Sequence, residues 1–490
     1  MPPSFPRYPS LYQINTRVRL RELASQLGRP ATLDDLPDAE LDYLAEIGFD
    51  ILWLLGVWQT GMAGRNVSLS NPAWLREFQT TLPDYDPRDV SGSCFAVCGY
   101  HVNNDFGGDA ALGHLRQRLA KRGLRLMLDF VPNHTALDHP WVNDHPDFYV
   151  PGTEQQLASQ PENYTRIRDR ILAYGRDPYF AGWPDSLQLN YANPAVQEAM
   201  LAELERIATQ CDAVRCDMAM LELPEVFEKT WGLKSQPFWP KAIAAARRQN
   251  PSFLFMAEVY WDLEWTLQQQ GFDYAYDKRL YDRLTEHDAR PVREHLMATL
   301  DYQNKLARFL ENHDEPRAAA TFPATIHRAA AIITFLTPGL RFFHQGQLEG
   351  KKVRISMHLN RGPAEPIDRA IADFYSALLR QLRDPCIRNG NWQLLNYRRA
   401  WDSNPTSEAF IAFSWTNSPA ERRLVAVNYS DHQSQCYVEI PWQGMDGRTV
   451  WLKDGVSNAM YDRPGSDLVT KGLYLDLPAW GYHVFTIRVV

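Results

Sequence analysis

Cysteine is scarce in this chain, with six in 490 residues. So few cysteines do not build a disulfide framework. Neither close pair, Cys94 with Cys98 or Cys211 with Cys216, has the CxxC gap of a zinc site, and all read as small buried thiols. Positive charge is also short. Lys and Arg number 51 against 59 Asp and Glu, a formal net charge of -8 with no long basic run, which argues against a nucleic-acid partner. No uninterrupted apolar stretch approaches the roughly 20 residues that span a bilayer. Residues Met1 to Arg7 lack the apolar core of a signal peptide, so the expectation is a cytoplasmic protein with no membrane contact. Internal repeats and low-complexity tracts are absent, and the sequence is silent on oligomeric state.

What is present is a long alternation of strand and helix signals. A chain of 490 residues exceeds one small core and predicts two or three domains. Strands are predicted at Ser10 to Thr16, Phe49 to Leu55 and Leu124 to Val131, and later at Gly271 to Asp277, Lys305 to Leu310 and Gly339 to His344. Helices are predicted at Leu36 to Ile47, Ala110 to Arg122 and Asn193 to Thr209. The first two stop at Gly48 and Gly123, and the third opens with Asn-Pro. Residues 56–107 read as a long loop. Residues 133–189 carry no clear strand-helix unit, and an excursion that long is expected to be functional or a small domain of its own. After residue 390 the pattern turns to short apolar runs separated by turn residues, which predicts an antiparallel β domain. The expected architecture is α/β: a (β/α)8 TIM barrel over 1–132 and 190–388, an inserted domain over 133–189, and a C-terminal antiparallel β-sandwich over 389–490.

Four apolar runs end in ionisable residues: Leu126 to His134, Ala213 to Asp217, Leu254 to Glu258 and Phe309 to Asp314. Each reads as a buried parallel strand running into a loop, and the carboxyl ends of barrel strands are where such a fold builds its active site. Three acids, Asp217, Glu258 and Asp314, would then meet in one cleft. That is costly electrostatically and is the arrangement a glycosidic bond requires: one carboxylate to attack, and one carboxylic acid to protonate the leaving oxygen about 5–5.5 Å away. Arg215 lies two residues before Asp217 on the same side of its strand and would keep that acid ionised. Burial and the Asp217 charge would raise the pKa of Glu258, as a general acid needs. His134 and His313 suit sugar hydroxyls. Taken singly, Asp217 reads equally well as a structural ion pair with Arg215, Glu258 as a loop carboxylate and His134 as a core histidine; the joint pattern favours chemistry.

In order, spacing and residue type these segments resemble the four signature regions of the alpha-amylase superfamily, glycoside hydrolase family 13: Asp129 to Asn133-His134, Arg215-Cys-Asp217, Glu258, and Asn312-His313-Asp314. The resemblance implies Asp217 as nucleophile, Glu258 as acid/base and Asp314 as transition-state stabiliser, with Phe95, Asp129, His134, Arg215 and His313 binding substrate. Gly92 to Gly108 is similar to a stretch of amylosucrases and sucrose phosphorylases in which an aromatic, here Phe95, stacks under the reacting sugar. Two departures stand out. Gly92 replaces an acid that closes the amylosucrase pocket, and apolar Met218 to Leu221 replaces the Lys-His pair of many amylases. Asn133 matches a calcium ligand of many relatives, but no cofactor or metal is predicted as required. The implied function is retaining hydrolysis of α-glucosidic bonds in malto-oligosaccharides or α-glucans. Glucosyl transfer through the same intermediate is the alternative, and a catalytically inactive binding or scaffold relative is the rival of another class. The segment Tyr174 to Asp185 is expected either to wall the site or to pack as an Ω-loop.

Overall fold

Eight parallel strands close into a barrel: Ser10–Asn15, Ile51–Leu55, Arg125–Phe130, Ala213–Cys216, Leu254–Ala257, Tyr274–Tyr276, Leu306–Arg308 and Leu340–His344. This is a computed structural model that describes residues 5–457 and 459–490. Each strand pairs with the next in the chain, and the eighth pairs back on the first, with Gln13 opposite His344. The strands are short and apolar, and all five residues of Ile51–Leu55 are buried, as a sheet covered on one face by helices and filled on the other demands. Every predicted barrel strand is present. The observed ends are one to three residues shorter in places, because hydrogen-bonded pairing stops before the apolar run does.

The helices follow their punctuation. Asp38–Glu46 is followed by Gly48 at φ 100°, and Pro194–Gln210 starts under an Asn193 side-chain cap. Residues 56–107 are more ordered than a loop. They hold two helices, Met62–Ser70 and Pro72–Thr81, and a two-stranded antiparallel sheet of Trp58–Thr60 and Val97–Val102. The second helix has a legible start: the Asn71 side chain accepts from the amides of Ala73 and Trp74, and Pro72 follows. These helices meet the segment after the eighth strand in a small separate core of Phe78, Leu82, Val90 and Leu359. Val90 and Leu359 also bridge as an antiparallel pair.

The excursion after the third strand is an antiparallel sheet in the order His134–Ala136, Trp183–Gln188, Arg170–Gly175, Tyr164–Ile167. Tyr174 and Trp183 thus begin or end paired strands, so the segment between them is a strand connection rather than an Ω-loop. At the C-terminus, a six-stranded and a three-stranded antiparallel sheet share a core that includes Phe410, Leu424, Val438 and Leu475. The strand Phe410–Ser418 shows how this part docks. Phe410 and Ala412 face the core between the sheets, whereas Ile411, Phe413 and Trp415 belong to the barrel core. The Trp415 indole donates to the Leu336 carbonyl at 2.8 Å. Among the described residues no helix is long and apolar enough to cross a membrane.

Candidate active site

The centre of the site is one guanidinium between two acids. The fourth strand carries Arg215 at its inner end and delivers Asp217 to the loop that follows; the fifth delivers Glu258. Arg215 is fully buried, with Nη1 2.5 Å from Asp217 Oδ1 and Nη2 2.7 Å from Glu258 Oε2. The first contact is a hydrogen bond. The second is charge contact without hydrogen-bond alignment. Burial works against the Arg215 charge, but Glu258, Tyr276 and Asp217 outweigh it and keep the guanidinium protonated. Both acids therefore face one planar cation.

Glu258 is 4% exposed. Burial pushes its pKa up to about 8; Arg215 opposes the rise, and the Asp217 and Asp314 charges add to it. Two donors hold its orientation: the Tyr260 hydroxyl to Oε1 at 2.9 Å and the Met218 amide to Oε2 at 2.8 Å. Met218 adopts φ 45°, a left-handed conformation that a non-glycine residue holds only under constraint, and that conformation aims its N–H at Glu258.

The remaining residues ring these acids. The Arg215 guanidinium lies 5.2 Å from the Phe95 ring centroid, and Phe95 lies 5.5 Å from the His313 ring. Gln13 holds His313 Nδ1 at 3.0 Å, and His313 Nε2 stands 3.1 Å from Asp314 Oδ2. Burial lowers the pKa of His313 to about 4, so it is a neutral imidazole near pH 7. His134 is also shifted down by burial, with the Asp217 charge opposing, and its ring sits 5.2 Å from that of Trp183. The Asp314 side chain is the more accessible acid at 30% exposed.

Two sequence-assigned residues are committed elsewhere. Asp129, expected at the substrate, is 1% exposed with both oxygens occupied: Trp53 Nε1 donates to Oδ1 at 2.9 Å and the Gly56 amide to Oδ2 at 2.6 Å. It ties the second and third strands together. Gly56 is required there, since φ is 77° and a Cβ would fall 2.6 Å from the Cys94 Cβ. Asn133 spends its amide oxygen on Gln188 Nε2 at 2.9 Å. Among the described residues no three His, Cys, Asp or Glu gather as a metal site. Trp53, Tyr260 and Tyr276 shape the site without having been singled out from the sequence. Their one signal is an aromatic at or just beyond a barrel strand.

An eight-stranded barrel with three carboxylates at the carboxyl ends of its fourth, fifth and seventh strands defines a barrel enzyme of the glycosidase type. The alpha amylase catalytic-domain family matches residues 38–393, and the chain belongs to that family, glycoside hydrolase family 13. Alpha-amylase 3 of Dictyoglomus thermophilum is 23% identical over 68% of this chain and 64% of its own length. A trehalose synthase of Thermus thermophilus is 23% identical over 56% of this chain and 28% of its own. The chain thus spans less than two thirds of these curated relatives. The maltogenic alpha-amylase AmyB of Thermotoga neapolitana has the same fold, with TM-score 0.69, 16% identity and 99% of both chains covered.

Proposed function

We propose that the protein is a retaining glycoside hydrolase that cleaves α-glucosidic bonds of malto-oligosaccharides or α-glucans through a covalent glycosyl-enzyme intermediate. The observation that carries this reading is the single buried guanidinium shared by Asp217 and Glu258. Asp217, hydrogen-bonded by Arg215 Nη1, attacks the anomeric carbon. Glu258, protonated below about pH 8, gives its proton to the departing glycosidic oxygen. A water then gives a proton to the Glu258 carboxylate, and its oxygen displaces Asp217, so the configuration is retained. Asp314 stands against the positive charge of the oxocarbenium-like state, and Phe95 offers an apolar face to the ring. His134 and His313, both neutral, can bond hydroxyls without adding repulsion to that charge. All six cysteines are free, which suits a cytoplasmic setting.

The runner-up is glucosyl transfer to a sugar acceptor through the same intermediate, a reading supported by the trehalose synthase among the relatives. Product analysis by NMR against maltotriose, soluble starch and sucrose in parallel decides. Initial release of α-anomeric glucose or maltose from the glucans alone supports the hydrolase. Consumption of sucrose with new glucosides and little free glucose would move the assignment to transfer. Inertness toward all three would favour the scaffold rival.

A further inference from the structure

The sugar whose C1 is attacked continues toward the rest of its chain through its C4 oxygen. That end points away from the leaving group. The leaving group lies on the side of Glu258, which protonates it, hence on the side of the fourth and fifth strands. In an eight-membered ring of strands, the far side belongs to the eighth, first and second. A glucan threaded through the site needs an exit there.

That side carries a second layer of structure. The helices Met62–Ser70 and Pro72–Thr81 and the segment 345–368 form one cap with its own apolar core. His358 joins its halves: the ring nitrogen meets Ser68 Oγ at 2.9 Å, the ring lies tilted by 32° against Trp74 at 4.3 Å, and its carbonyl accepts from the Ser91 amide at 2.8 Å. The cap then reaches the acids. Arg354 Nη2 pairs with Glu77 at 2.6 Å, while its Nη1 lies 3.5 Å from the backbone oxygen of Asp314. Met357 sulfur meets Ser93 Oγ at 3.7 Å, and Ser93 supports the Phe95 amide at 3.2 Å. From behind, buried Arg17 grips the Gly92 carbonyl at 2.5 Å. A cavity of about 1820 Å³ is lined by residues that include Arg17, Thr60, Ser91 and Asn360 and by none of the three acids. The opposite rim is open and aromatic: Tyr179 and Phe180 are 56% and 71% exposed, and Trp261 meets Tyr179 at 4.9 Å.

We infer that the cap, closed by the Arg354–Glu77 clasp, makes the pocket blind, so that the enzyme accepts only the non-reducing end of a glucan and releases one glucosyl unit per turnover. This rests on the α-glucan glycosidase reading above. The test compares 4-nitrophenyl α-maltopentaoside with the same compound carrying a 4,6-ethylidene block on its non-reducing sugar, with initial products read by chromatography. The expected result is glucose as the first glycone product from the free compound, and turnover of the blocked one at least about 100-fold slower. Cleavage of the blocked compound at a comparable rate, or maltose or longer as first glycone product, overturns the inference while leaving the glycosidase reading intact. No turnover of either removes that reading and the inference with it. The double variant Glu77→Ala/Arg354→Ala, checked for folding by its thermal melt, should gain cleavage of the blocked compound by about tenfold or more. A folded double variant that still rejects it overturns the assignment of closure to this clasp.

Discussion

Glu258→Gln removes one proton from the proposed reaction and little from the fold. In the folded chain, Oε1 accepts from Tyr260 and Oε2 from Met218. An amide in the same place can turn its oxygen to the Met218 N–H and its NH2 to the Tyr260 hydroxyl, which can accept. The loss should therefore be chemical. General acid catalysis contributes about 10²–10⁴-fold, so kcat/KM on maltotriose should fall by that factor, roughly 3–5 kcal/mol of barrier. With α-glucosyl fluoride, whose leaving group needs no proton, kcat/KM should fall by less than about tenfold, because it reports only glycosylation. The alkaline limb of the wild-type kcat/KM profile on maltotriose should lie near pH 8 and vanish in the variant. Stability gives an independent sign. A free glutamate titrates near 4.5 and this one near about 8, so the folded state holds a proton the unfolded chain releases. Its stabilising effect is complete below 4.5 and is lost as pH rises through about 8. The Tm of the variant should therefore gain on that of the wild type across this window. Equal losses on the two substrates, or an alkaline limb that survives the substitution, would refute the assignment of Glu258 as acid.

Three further outcomes follow from the same geometry. Asp217→Asn should lower kcat by about 10⁴-fold or more on every α-glucoside, including the fluoride; residual turnover within tenfold would remove Asp217 as nucleophile. Arg215→Ala should cost about 3–5 kcal/mol in urea unfolding, because it leaves two acids buried without their cation, and should push the alkaline limb higher, since Arg215 holds the Glu258 pKa down. Asp129→Ala should cost roughly 1–3 kcal/mol for each donor it strands, here Trp53 Nε1 and the Gly56 amide. An unchanged unfolding midpoint would show that Asp129 does not tie the strands.

The barrel and its acids were legible because both rest on local order. A strand covered on both faces must be apolar throughout, and catalytic groups must stand where it ends, so Ala213 to Asp217 and Leu254 to Glu258 announce themselves in a few residues. Arg215 was legible by its two-residue offset from Asp217. The sequence by itself therefore determined which acids the chain owns, on which strands they stand and that they belong to one barrel end. What only the tertiary structure decided is what each polar atom does once there. Asp129 carries the right residue type for a substrate contact, and strand pairing brings the Trp53 indole to one of its oxygens and the Gly56 amide to the other. The helices inside 56–107 and the cap they form with 345–368 gave little periodic signal, because their small core is shared between segments far apart in the chain. Residues such as Glu77 and Arg354, 277 positions apart, acquire a meaning only when folding sets them at 2.6 Å. Short-range patterning encodes strands and their chemistry; the shape of the pocket arises from long-range contacts that no window of sequence contains.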